Sequence, residues 1–296
     1  MLGIGNSFSK FGELLQGALP GENNNFLISM PIDHYSTAKF CCSDVAKPAI
    51  IYPAYKFKSA SLAFKIMQYF HLNCGWELRI ESKLNEGKGL GSSTADLVAS
   101  ARAMVTATGK ILPMEIFLSF LREIEPSDGI MYDGLTCFYH RKVQLHSQFN
   151  FTPDFTIVGI DESGRVDTIF FNRNLQPYTI AQKENYSFLL EKMQSAIQKK
   201  DIETIGEIST QSAILHQDIN PKKNLGYFLE IRDAINAVGI IVAHSGTYIG
   251  IILDKNSPNY FEQLVYVEKK IAERSLQFEK FDTLVKANPE RGIDNV

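Results

Sequence analysis

A chain of 296 residues with 45% apolar and 21% charged side chains has ordinary globular composition, and its length suits one large domain or two of average size. The net charge of −3 gives no basic footprint for nucleic acid, and no apolar run approaches the roughly 20 residues that span a bilayer. The start, MLGIGNSFSKFGELLQG, lacks the basic head and apolar core of a secretory signal, so a cytoplasmic protein without a membrane partner is expected. The cysteines, Cys41, Cys42, Cys74 and Cys137, show neither C-x-x-C nor zinc spacing and read as buried free thiols in a reducing compartment. The histidines form no H-E-x-x-H, which removes metalloprotease chemistry.

In chain order, residues 24–30 and 36–42 read as strands separated by the polar break PIDHY, with Pro31 and Asp33. Residues 58–70 place Leu62, Ala63, Ile66 and Phe70 on one side of a helix, and 76–82 alternate as a half-buried strand. After EGKGLGSSTAD (86–96), Leu97, Val98, Ala101, Met104 and Val105 keep helical spacing as far as Gly109. A second helix covers 113–125, with Pro113 in its first turn, and 135–140 reads as a strand. The segment 147–154 is polar and contains Pro153, a candidate domain boundary near 150. Beyond it, 155–161 and 165–171 read as strands, and helices follow near 181–199, 201–218 and 224–238. A strand–glycine turn–strand spans 239–254, a helix 260–274 and a strand 276–285, with a polar tail at 286–296. Strands and helices mixed in both halves indicate an α+β architecture in two lobes.

The glycine-rich stretch carries the most chemistry. A helix N-terminus holds unpaired N–H groups and a partial positive charge, and glycines ahead of it let the backbone approach a bulky anion. Together they make a phosphate cradle, with Ser92, Ser93 and Thr94 at its rim. Simple helix capping by Ser92 or Ser93 is the plain alternative. It is not a Walker A loop, because Lys88 is followed by Gly89. It is not a dinucleotide fingerprint, because Gly89 and Gly91 are followed by Thr94.

The stretch GKGLGSSTAD resembles the second motif of the GHMP small-molecule kinases, although the usual proline is absent near Asn85 and Glu86. FGELLQG (11–17) resembles their N-terminal Gly-Glu motif and VAHSGTYIG (242–250) their C-terminal glycine-rich motif. Five segments, GELLQG, PIDHYST, SSTAD, EPSD and VAHSG, are similar in order to the branch of bacterial L-threonine kinases of cobalamin synthesis and propanediol utilisation.

The resemblance implies an N-terminal ribosomal-S5-like lobe (1–150) and a C-terminal ferredoxin-like lobe (151–285), with the site between them and a flexible tail at 286–296. It implies ATP and Mg²⁺ as cofactors and a small hydroxy-amino acid as acceptor. Lys88, Gly89, Leu90, Gly91, Ser92, Ser93 and Thr94 would hold the phosphates, and Ser93 and Glu125 the metal. Asp128 would be the catalytic carboxylate, with Glu123 and Asp133 as neighbouring competitors. Glu13, Asp33, His34, Tyr35, Ser36, His244, Ser245 and Gly246 would surround the acceptor, with Asp33 suited to its ammonium. Many relatives carry a basic residue a few positions before the Gly-Glu pair. Lys10 stands closer than that, so the role is not carried to it, and Lys88 is the substitute charge. The expected activity is phosphorylation of the L-threonine side-chain hydroxyl. The alternatives are a kinase for serine, homoserine or another small alcohol, and an inactive nucleotide-binding sensor.

Overall fold

The computed structural model describes residues 1–43, 48–84, 86–164 and 177–285. The expected strand at 165–171 and the tail at 286–296 lie outside these residues.

One ten-stranded sheet organises the described chain. Its strands are β1 (Leu2–Ala18), β2 (Asn25–Ser43), β3 (Ile50–Tyr52), β4 (Gly75–Ser82), β5 (Leu135–Tyr139), β6 (Gln144–Phe149), β7 (Phe155–Asp161), β8 (Gly239–Val242), β9 (Tyr248–Asp254) and β10 (Glu279–Asp282). They run in the order β10-β7-β9-β8-β1-β2-β4-β3, with the β5–β6 pair branching from β2. All pairs are antiparallel except β3–β4, and β1 meets β8 through a single register pair, Glu13 with Val242. The helices are α1 (Phe57–Tyr69), α2 (Ser92–Thr108), α3 (Met114–Ile124), α4 (Ile180–Lys199), α5 (Ile202–Leu215), α6 (Leu225–Ile235) and α7 (Tyr260–Glu273). A 3₁₀ turn, His216–Asp218, closes the 201–218 segment that reads as helix from sequence.

The cores follow this layout. Helices α1–α3 cover β2 and β4 with Leu62, Ile66, Leu97, Met104, Phe117 and Leu121. Helices α6 and α7 cover β7–β9 with Phe228, Ile231, Val267 and Ile271. Between them a third core joins Phe8, Phe11, Leu14 and Phe26 to Leu189, Met193, Ile205, Tyr248 and Phe281, so both halves of the chain contribute.

Two sequence expectations need correction. The break at 31–35 is not a loop, because β2 runs through it. The pairing passes from Phe8–Tyr35 to Ser9–Ile32, so Asp33 and His34 form a bulge in a continuous strand. The cysteines are not all free thiols either, since Cys42 and Cys74 form a disulfide. The β2–β4 register sets Cys42 opposite Trp76, which leaves the Cα atoms of Cys42 and Cys74 6.4 Å apart, within bridging range. Cys41 and Cys137 are free.

Candidate functional site

Helix α2 starts without a capping side chain. Its N-cap is Gly91 in the left-handed region (φ +70°), and Ser92 is the first helical residue rather than the cap. The first intrahelical bond runs from Ala95 N–H to the Gly91 carbonyl, which leaves the amides of Ser92, Ser93 and Thr94 at the helix mouth. A side chain at Gly91 would press on Lys10 Cγ at 2.9 Å and on the Asp128 carboxylate at 3.3 Å. The mouth therefore opens into a cleft of about 1740 Å³, larger than the roughly 300–1,000 Å³ of a pocket for one small ligand.

Two carboxylates approach the helix mouth. Glu125 is the C-cap of α3, extended ahead of Pro126, which ends the helix. It accepts a hydrogen bond from the Ser93 hydroxyl through Oε1 and pairs with Lys58 Nζ through Oε2 at 2.5 Å. Asp128 follows in the turn, and its N–H donates to Thr94 Oγ1 at 3.3 Å. Its Oδ1 lies 2.8 Å from Lys10 Nζ. Lys10 also pairs with Glu13, which is fully buried and accepts from Ser29 Oγ at 2.6 Å. Burial by itself would lower the Lys10 pKa, but Asp128 and Glu13 outweigh it and hold it above the ordinary lysine value. Of the competing carboxylates, Glu123 is an exposed partner of Lys65, and Asp133 does not line the cleft.

The remaining wall is polar and aromatic. Asp33, His34 and Tyr35 line it from the β2 bulge, and His34 packs on Phe281 with ring centroids 5.1 Å apart. His140, His244 and Ser245 line it as well. His244 Nδ1 lies 2.7 Å from Gln16 Oε1, and its ring sits between those of His140 and His216 at 5.0 and 5.2 Å. Burial first, and then the neighbouring imidazoles, lower the His244 pKa well below the usual histidine value.

Four of the expected residues stand behind the wall. Leu90 points into the central core, while its carbonyl accepts from Ser9 Oγ and from Lys10 N–H. Glu13 holds Lys10 from below. Ser36 donates to Asp96 at 2.5 Å, and Asp96 in turn pairs with Lys56, so the hydroxyl anchors α2 to β2. Gly246 lies against the backbone of Lys88 and Gly89. Lys88 lines the cleft, but its ammonium is paired with Asp161 at 2.5 Å.

Residues 55–139, which hold the glycine loop, Glu125 and Asp128, match the family model described as the GHMP kinases N terminal domain. An L-threonine kinase of Salmonella typhimurium is 27% identical over 270 residues, spanning 90% of this chain and 86% of that one. An L-threonine kinase of Citrobacter freundii is 26% identical over 254 residues, 83% of this chain and 84% of that one. Residues 55–139 thus carry the GHMP kinase N-terminal domain pattern, and most of the chain is similar to L-threonine kinases. The fold agrees. Homoserine kinase from Cytophaga hutchinsonii superposes with a TM-score of 0.71 over 95% of each chain at 15% identity. Mevalonate kinase from Methanococcus jannaschii gives 0.70 over 95% of this chain and 98% of that one, also at 15% identity.

Around this cleft, sequence reading misses Lys10, Lys58 and His140. Lys10 is set aside on spacing counted along the chain. The bulge at Gly12 (φ +55°) gives β1 one extra residue between Lys10 and Glu13 relative to β2, and Lys10 lines the cleft. Lys58 and His140 sit in stretches with no motif, and only the packing of α1 and β5 brings them in. The donors beside the helix mouth suit a hard cation. A hydroxyl and a carboxylate oxygen stand together, and among the described residues no group of three or more His, Cys, Asp or Glu forms a cage. Such a pair matches Mg²⁺, which takes one or two carboxylates and completes its shell with phosphate oxygens and water.

Proposed function

We propose that this chain transfers the γ-phosphoryl group of ATP to the side-chain hydroxyl of L-threonine, giving L-threonine O-3-phosphate. One observation carries the reading: the glycine loop, the Ser93–Glu125 pair and the Lys10–Asp128 ion pair converge in one cleft. Likeness to two L-threonine kinases over most of the chain supports the choice of acceptor.

The main-chain amides of Gly89, Leu90, Gly91 and Ser92 would receive the triphosphate, and the positive end of α2 would favour its charge. Ser93 and Glu125 would hold Mg²⁺, which when bound offsets charge on the phosphate oxygens. Lys58 neutralises the far oxygen of Glu125. Asp128 orients the acceptor hydroxyl and accepts its proton as the new O–P bond forms and the bond to the departing ADP breaks in line. Lys10 fixes the Asp128 carboxylate and places an ammonium beside the transferring group. On the acceptor side, Asp33 would pair with the amino group, while His34, Tyr35, His244 and Ser245 would supply hydrogen bonds to the carboxylate and hydroxyl. The nucleotide half would be residues 1–150 and the closing half 151–285, with the shared central core fixing one against the other.

The test is ADP release by purified protein with ATP, Mg²⁺ and a panel of threonine, serine, homoserine and simple alcohols. Turnover is expected with threonine, and kcat/KM should fall by about 10- to 200-fold for serine, the range that one methyl group in a pocket supports. Asp128→Ala should lose about 10²- to 10⁴-fold in kcat. No turnover with any hydroxy-amino acid or simple alcohol, with ATP still bound, would replace the kinase by a nucleotide sensor.

A further inference from the structure

The glycine loop is held in place by the half of the chain that follows residue 150. The Lys88 ammonium pairs with Asp161 at the end of β7 and donates to the Gly164 carbonyl at 2.6 Å. Asp161 Oδ1 accepts from the Thr247 hydroxyl at 2.5 Å and from the Ser163 N–H at 3.0 Å. The Thr247 N–H donates back to the Lys88 carbonyl at 3.0 Å. Lys88 is thus gripped by both its side chain and its main chain, by residues 73 and 159 positions away in sequence.

The contact beneath this ring is backbone on backbone. A Cβ on Gly246 would lie 2.0 Å from the Lys88 carbonyl oxygen and 2.3 Å from the Gly89 nitrogen, and one on Gly89 would lie 2.3 Å from Ala243 Cβ. Gly246 is itself fixed, because its carbonyl accepts from Asn220 Nδ2 at 3.0 Å and from Lys222 Nζ at 2.8 Å. The neighbouring Glu162 accepts from the N–H groups of Lys223 and Asn224, which ties the β7 end to the start of α6.

We propose that Lys88 is a positioning residue rather than a phosphate ligand: with Asp161 and Thr247 it latches the glycine loop in its binding shape and so sets nucleotide affinity. The proposal rests on reading that loop as the triphosphate cradle. A stretch with glycines at 87, 89 and 91 has many conformations to lose on binding, and a loop already fixed by the latch loses fewer. Lys88 has one charged nitrogen, and it is already satisfied by a carboxylate and a carbonyl on the side of the β7 end.

Calorimetric titration of the full chain with ATP and Mg²⁺ separates the two roles. A latch makes Lys88→Met and Asp161→Asn weaken ATP binding alike, by about tenfold, with the double variant no worse than either single one. A direct phosphate contact makes Lys88→Met weaken binding while Asp161→Asn leaves it unchanged or tightens it, because the freed ammonium can then turn to the nucleotide. That second pattern overturns the proposal. Hydrogen exchange of the ligand-free protein provides a readout independent of nucleotide. Amides of residues 86–95 should exchange faster in both variants, and Asp282→Asn, which breaks the partly exposed Lys255–Asp282 pair elsewhere, should leave them unchanged. Unaltered exchange in Asp161→Asn also overturns the latch. If the wild-type chain takes up no ATP, the cradle reading falls, and the exchange measurement still decides whether Asp161 orders the loop.

Discussion

Lys10 stands between two carboxylates, one facing the cleft and one sealed beneath it, and this fixes what its replacement should do. Lys10→Met leaves Glu13 fully buried without its cation, a loss of about 3–5 kcal/mol in unfolding free energy, and frees Asp128 to rotate. Adding Glu13→Gln removes the stranded charge. The double variant should regain most of the stability by urea unfolding yet none of the kcat, because Asp128 still lacks its orienting partner. Recovery of both would reduce Lys10 to a structural ion pair. The same residue shows where sequence reading stops. Glu125 and Asp128, named only because EPSD falls in the order of the resembling family, do line the cleft, whereas the lysine is hidden by a bulge that no spacing rule reveals.

At the scale of elements, helices were legible wherever one face is apolar. Helix α1 and the helix after the glycine loop lie within a residue or so of their expected bounds. Strand β1 was missed because nearly all its side chains from Ser7 onward are buried, so NSFSKFGELLQG shows no alternation to read. Strand β6, QLHSQF, is a polar edge strand whose exposed residues resemble a loop. The Cys42–Cys74 bridge depends on the β2–β4 register, which the spacing of two cysteines does not encode. The two glycine motifs were legible separately, but their mutual contact was not. That contact predicts that Gly246→Ala, whose methyl would overlap the Lys88 carbonyl, displaces the loop and raises the KM for ATP by about tenfold or more, with a smaller effect on the KM for the acceptor. Equal increases in both constants would argue that the turn serves the acceptor instead.

Across the whole molecule, the central core joins residues before and after 150, so cleft and fold should respond together to solution conditions. Burial lowers the His216 pKa from the ordinary 6.5 to about 4, against a smaller opposing effect from its bond to the His244 carbonyl. His244 is depressed as well. Above 6.5 these rings are neutral in both folded and unfolded chains, and their contribution is fully present. As pH falls from 6.5 toward 4 the unfolded chain takes up protons that the folded chain refuses, and stability drops by up to about 1.4 kcal/mol per pH unit for each ring. Urea midpoints at pH 7.5 and 5 should therefore differ more for the wild type than for His216→Gln. An equal difference would assign the acid sensitivity to other groups.

The chain has a single tryptophan, Trp76, packed with Phe40 and Phe64 under helices α1–α3 and absent from the cleft wall. Its emission is consequently a gauge of that one compartment. Nucleotide or amino acid entering the cleft should leave the spectrum nearly still, and loosening around α6 and α7 would pass unseen unless a second fluorophore were installed there.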